Sequence, residues 1–228
     1  MTTLVGIRAG QVKEGVVLAS DLSQTKTVWS PQGDVAYRQQ TKLEGQKIYV
    51  DDSRQLAVCM SGIYDQPYID FLSGILKGQI DFQKAVEKEF FPELANLTLS
   101  RWGGKVPENE LYNGLLVATR FDNRPKLYTC FPLGKVEERN WTSIGSGSQF
   151  ALEHISKQGK LIPHYLGLEE AVDLAQSSLD KASQDLYTGG LDIVVIAPGE
   201  ITEFGSEIKA EIERARTRSI ERLKRKIA

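Results

Sequence analysis

Apolar residues along this chain gather first in short runs separated by polar turns. The segments "TTLVGI" (2–7), "GVVLASD" (15–21), "KIYVDD" (47–52) and "RQLAVCMSG" (54–62) are each bounded by Gly, Asp or Ser, a pattern that predicts strands. Between the second and third lies a polar stretch from Leu22 to Gln46 holding the turn signal "SPQGD", which reads as a long hairpin or loop excursion. The period then changes: helical spacing runs from about Tyr64 to Ala95, interrupted near Gly78 and closing near Pro92. A second group of strands follows at "NGLLVATRF", "KLYTCFP" and "WTSIGSGS", with helical "FALEHI" behind the last. The strongest helix spans about 168–186, where Leu168, Ala171, Val172, Ala175, Leu179, Ala182 and Leu186 fall on one face. "LDIVVIA" and "ITEF" are the last strands, and a charged helix over 206–228 closes the chain.

The order is strands, helices, strands, helices, strands, helix. It does not alternate as βαβ units do, so the expected class is α+β with antiparallel sheets and helices layered outside them. No internal linker or low-complexity stretch divides residues 1–228, and a single domain is expected.

Composition removes several functions from consideration. With 41% hydrophobic and 25% charged residues and a net charge of −2, nothing pulls the chain toward nucleic acid or an anionic membrane. There is no long apolar run and no basic leader ahead of an apolar core, so the expected compartment is the cytosol. Cys59 and Cys130 are too few for a disulfide framework, and His154 and His164 stand apart from any acidic or cysteine cluster; neither a metal nor another cofactor is expected.

Candidate chemistry sits at strand ends. Asp21 closes "GVVLAS", Lys47 opens "KIYV", Gly62 ends "LAVCMSG", Ser146 lies in "IGSGS", and Asp185 and Thr188 lie in "QDLYTGG". Each has a plain structural reading: Asp21 as a turn cap, Lys47 as a solvated side chain, "GSGS" as a loop and helix cap, "TGG" as a helix stop. The opening threonine pair fits any strand, but a free amine beside a Thr2 hydroxyl would also be a nucleophile with its base attached.

Taken in order, "TTLVGI…GVVLASD…T…KIY…AVCMSG…GSGS…DLYTGG…DIVVI" resembles a proteasome β subunit of the N-terminal nucleophile hydrolases, over nearly the whole chain. The resemblance implies a four-layer α/β/β/α sandwich of two antiparallel sheets flanked by helices. It also implies roles: Thr2 as nucleophile once Met1 is removed, and Asp21, with Thr25 four residues on, as the acidic strand end. Lys47 would be the lysine beside the nucleophile, with Lys26 and Lys42 as less favoured alternatives, and Gly62 the glycine whose N–H faces an oxyanion. Ser146, Asp185 and Thr188 would group around the threonine amine, Thr188 standing where the family usually has serine. Gln24, Tyr49, Met60 and Tyr64 would line the pocket for the side chain preceding the cut.

The activity so implied is that of a threonine-type peptidase in a self-associating ring acting on polypeptides, with an ATP-dependent unfoldase or an α-type ring as implied partners. Two other readings stand beside it: a catalytically silent β-like ring subunit, and an amidase or transpeptidase of the same nucleophile class. The stretch 22–46 is longer than the family's, and with only Met1 before Thr2 the start is nearer the HslV-type peptidase. In 206–228, Ile208, Ile212, Ala215 and Leu223 share a face opposite an excess of Lys and Arg, fitting an outer helix or a docking tail.

Overall fold

The computed structural model describes residues 2–11, 14–22, 24–29, 35–41, 47–51, 53, 55–62, 65–111, 113–158, 166–184, 191–198 and 200–204, with backbone only at 24–29, 35–41, 109, 200–201 and 203–204. The first sheet is built from β1 (Thr3–Ala9), β2 (Gly15–Ser20), β10 (Trp141–Gly145), β11 (Asp192–Ala197) and β12 (Glu200–Phe204), in the order β10-β1-β2-β11-β12. The second is β5 (Ile48–Val50), β6 (Leu56–Ser61), β7 (Gly114–Thr119), β8 (Lys126–Cys130) and β9 (Val136–Arg139), in sequence order. Every pairing is antiparallel. A separate two-stranded hairpin, β3 (Gln24–Trp29) with β4 (Val35–Thr41), accounts for the polar excursion.

Burial along β1 explains why its sequence is continuously apolar. Val5, Ile7 and Ala9 pack toward α4 (Ser148–Lys157) and α5 (Leu168–Ala182), while Leu4 packs with Leu18, Ile48, Cys59 and Leu116 between the sheets. A strand covered on both faces has no polar side to display. The third cluster, with Met60, Phe71, Phe91 and Val117, joins the other face of the second sheet to α1 (Gln66–Leu76), α2 (Phe82–Glu87) and α3 (Pro92–Arg101). The result is helix, sheet, sheet, helix: the α+β sandwich expected. The sheets come close at Gly6, where a Cβ would come 2.7 Å from Leu127 Cδ1 and oblige that side chain to shift.

Local chemistry places the turns. Asp51 Oδ1 accepts from the Gln55 and Leu56 amides, each at 2.8 Å, and so folds β5 back onto β6. Asp65 and Asp81 cap α1 and α2 by accepting from Tyr68 N and Lys84 N.

Two expectations are corrected. Pro92 does not close a helix; it stands in the first turn of α3, where a missing N–H costs nothing, and the helix runs on to Arg101. The strongest helix ends at Ala182, not Leu186, since Ser183 and Gln184 already form a turn. The hairpin expected within the polar excursion is present as β3 and β4, whereas β9 was not separately legible. The helix expected over 206–228 lies outside the described residues.

Candidate active site

Thr2 immediately precedes β1 at the open end of the first sheet, and β1 is held on both sides there. Thr3 pairs with Gly145 of β10, the Ser146 N–H donates to the Thr2 carbonyl at 3.1 Å, and the Gly147 N–H donates to Thr3 Oγ1 at 3.0 Å. Gly145 has φ +98°, and a Cβ there would overlap the Thr2 carbonyl oxygen. Only glycine lets the "GSGS" loop come this close.

On the other side β2 delivers Asp21. Its N–H donates to the Thr3 carbonyl at 3.1 Å, and its Oδ1 accepts the Thr3 N–H at 2.6 Å. Lys47 enters from the second sheet, one residue before β5, where Ile48 pairs with Cys59. Its Nζ donates to Thr2 Oγ1 at 3.1 Å and to Asp21 Oδ1 at 3.2 Å. All three side chains are shut away from solvent: Thr2 is 4% exposed, Lys47 2% and Asp21 0%.

A cation this deeply buried loses hydration, and that burial lowers the Lys47 pKa below the ordinary lysine value; the Asp21 charge and hydrogen bond oppose the shift. An ammonium donating to a hydroxyl oxygen favours negative charge on that oxygen. The ammonium also disfavours protonation of any amine beside it. The reading of Lys47 as a solvated surface residue is therefore corrected by its burial.

The remaining sequence candidates divide. Gly62 follows β6, whose final ladder pair is Ser61 with Gly114, and takes φ +117°, a conformation that costs glycine little. The Ser146 side chain is exposed, and its backbone makes the contact to Thr2. Met60 is buried on the helix-facing side of the second sheet, and half-buried Tyr49 packs against the same cluster. Burial raises the Tyr49 pKa, and the Asp192 charge adds to the effect. Gln24 lies in β3 with only its backbone described; Tyr64, Asp185 and Thr188 lie outside the described residues. Among the described residues no helix is long and apolar enough to cross a membrane, and no group of His, Cys, Asp or Glu side chains is arranged to hold a metal.

Sequence reasoning missed Thr3 as a tether. It passed over Thr3 as an ordinary strand residue, yet its amide and hydroxyl join Asp21 to the "GSGS" loop. It also passed over Asn113, whose Cβ and Cγ lie 3.4 Å from where a Gly62 Cβ would sit, since nothing local marks a contact made across a ladder.

A family model described as proteasome subunit matches residues 82–197, just over half of the chain. Proteasome subunit beta 2 of Pyrococcus furiosus is 27% identical over 213 residues, covering 91% of this chain and 93% of the relative. Proteasome subunit beta 1 of Thermococcus gammatolerans is 29% identical over 213 residues, covering 91% of this chain and 95% of the relative. Proteasome subunit beta 1 of Nitrosopumilus maritimus is 36% identical over a shorter 89 residues; that match spans 38% of this chain and 43% of the relative's length.

Proposed function

Since this chain belongs to the proteasome β-subunit family, we propose that it is a threonine-type endopeptidase subunit whose nucleophile is Thr2 after removal of Met1. The observation that carries the reading is the buried Lys47 ammonium donating to both Thr2 Oγ1 and Asp21 Oδ1. A lysine is expensive to bury, and a strand end offers it easy access to water. Holding it against a threonine hydroxyl is of use where that oxygen must become nucleophilic.

The chemistry follows in two halves. With Met1 gone, the Thr2 amine has an unperturbed pKa of about 7.7–8.0, and the adjacent Lys47 charge favours its neutral form. The amine takes the Oγ proton, directly or through one water, as Oγ attacks the peptide carbonyl. The Gly62 N–H is assigned to the developing oxyanion. Collapse expels the leaving amine with the proton returned from the Thr2 amine, and water then hydrolyses the ester on Thr2 by the same route. Ser146, Asp185 and Thr188 are assigned to the surroundings of the amine, and Gln24, Tyr49, Met60 and Tyr64 to the pocket for the preceding side chain. Assembly into rings and a cytoplasmic setting belong to the same proposal.

The test is N-terminal mass determination together with Thr2→Ala and Thr2→Ser. Thr2→Ala keeps a small residue after Met1, so processing continues and only the hydroxyl is lost; hydrolysis of unstructured peptides should fall to background. Thr2→Ser should recover part of the rate. Equal cleavage by parent and Thr2→Ala overturns the proposal, and a chain that retains Met1 favours the silent ring subunit.

A further inference from the structure

Gly62 stands at a position that close packing alone does not secure. A cavity opens beside the end of β6, lined by Met60, Ser61 and Gly62 on one side and by Arg101, Glu110 and Asn113 on the other. The main-chain ladder stops one step short of the glycine, at Ser61 with Gly114. A φ of +117° leaves Gly62 free to take other conformations, because glycine pays no steric penalty for them. Beyond the Ser61 pair, the side chain packed against the glycine is the neighbour that can hold it in this conformation.

We infer that Asn113 is that side chain, a positioning residue that fixes the Gly62 N–H from behind. Asn113 follows Gly62 in the antiparallel register, opposite it and just beyond the last pair. Its Cβ and Cγ both lie 3.4 Å from where a Gly62 Cβ would sit, so the side chain rests on the glycine's open face. Asn113 is itself anchored twice: its N–H donates to the Glu110 carbonyl at 3.1 Å, and its Nδ2 donates to Glu110 Oε2 at 2.8 Å.

The anchor continues around the cavity to the start of α1. Arg101, on which the Glu110 charge acts, stacks 4.5 Å over the Tyr68 ring and forms an ion pair with Asp65. Asp65 is the N-cap of α1, accepting from Tyr68 N. Gly62 thus rests against Asn113 while Asp65 is tied to Arg101 and α1, with Glu110 acting on both Asn113 and Arg101. A hydrogen-bond donor aimed at an oxyanion acts by being fixed before the charge develops. Misplacement of about 1 Å costs about a hundredfold in rate.

The inference rests on the reading of Thr2 and Gly62 given above, and the experiment separates the two. Processed protein carrying Asn113→Ala, Asn113→Asp or Thr2→Ala is compared with the parent in peptide hydrolysis. Binding of a peptide aldehyde and of the matching peptide alcohol is measured in parallel. The aldehyde adds to Thr2 Oγ: a C–O bond forms, the carbonyl π bond opens onto oxygen, and the Oγ proton passes through the amine. The new oxyanion or hydroxyl then faces Gly62. The alcohol has no such carbonyl.

Asn113→Ala should lower kcat about ten- to a hundredfold with KM changed less than about twofold. Aldehyde affinity should fall with kcat while alcohol affinity holds. Asn113→Asp, which sets a second carboxylate against Glu110, should lose more. Parent-like kcat in Asn113→Ala beside an inactive Thr2→Ala overturns the inference alone. Equal losses of aldehyde and alcohol binding, or loss of assembly, also overturn it by showing a merely structural role. Parent-like cleavage by Thr2→Ala overturns both readings together.

Discussion

At Lys47 a single side chain carries two opposed demands. Under the proposed mechanism its charge must survive burial at 2% exposure to act on Thr2, and burial is the larger influence, lowering its pKa despite Asp21. The sign is definite: activity that needs the cation is present below the lowered pKa and lost as pH rises through it. The alkaline limb of kcat/KM should begin below the pH at which an exposed lysine, with pKa about 10.4, gives up its proton. Lys47→Arg should push that limb beyond reach while losing rate, because a planar fork does not replace a point charge between Thr2 and Asp21. Lys47→Ala should lose rate and also about 3–5 kcal/mol of stability, since it leaves the Asp21 carboxylate buried without its cation. A pH–rate profile and urea melts of both variants check these outcomes. Unchanged activity in Lys47→Ala would return Lys26 or Lys42 to consideration.

Among the elements, the junction of β1 with the turn after β10 decides where Thr2 stands. Gly145, Ser146 and Gly147 meet Thr2 and Thr3 through backbone contact, two N–H donors and a ladder pair. Gly145→Ala adds a methyl group where the Thr2 carbonyl already is and forces a left-handed φ on alanine. Peptide hydrolysis should be abolished, with a stability loss of at least about 1–3 kcal/mol. By contrast, Gly78→Ala places its Cβ in open space on the α1–α2 connection, so its cost is the left-handed φ alone and its activity should match the parent. Comparing melting temperature and rate in the two variants checks the claim. Similar rates in both would mean that the turn after β10 does not locate Thr2.

For the whole molecule, each sheet is covered by helices on its outer face, and the inter-sheet layer is closed by Leu4, Leu18, Ile48 and Leu116. Large apolar side chains nevertheless remain at the surface: Ile69, Phe90, Leu133 and Phe150 are each at least 36% exposed. In the proposed ring, such exposed apolar groups are the ones neighbouring subunits would cover. Under the ring reading, the protein in solution should have a mass several times the 25.4 kDa of one chain. Sedimentation across micromolar concentrations measures it, and a monomer mass throughout would count against assembly.

The sequence by itself determined the class and most of the elements, because those signals are local. Buried runs such as "GVVLAS" and the repeated apolar face of α5 fix element type through burial and periodicity within a few residues. It also held the order of motifs that marks the family, and with them Thr2, Asp21 and Lys47 as candidates. Local pattern misjudged Pro92, because the same ring that stops a helix also starts one, and which happens depends on the residues packed around it. Only the tertiary structure decided that Lys47 is buried, since a lysine at a strand end looks identical whether it meets water or a hydroxyl 45 residues away. The same holds for Asn113 behind Gly62 and for Thr3 between Asp21 and Gly147: their partners lie just beyond the ends of other strands. Contacts made across sheets leave no period in the chain, and there the physics of burial and hydrogen bonding decides what the sequence leaves open.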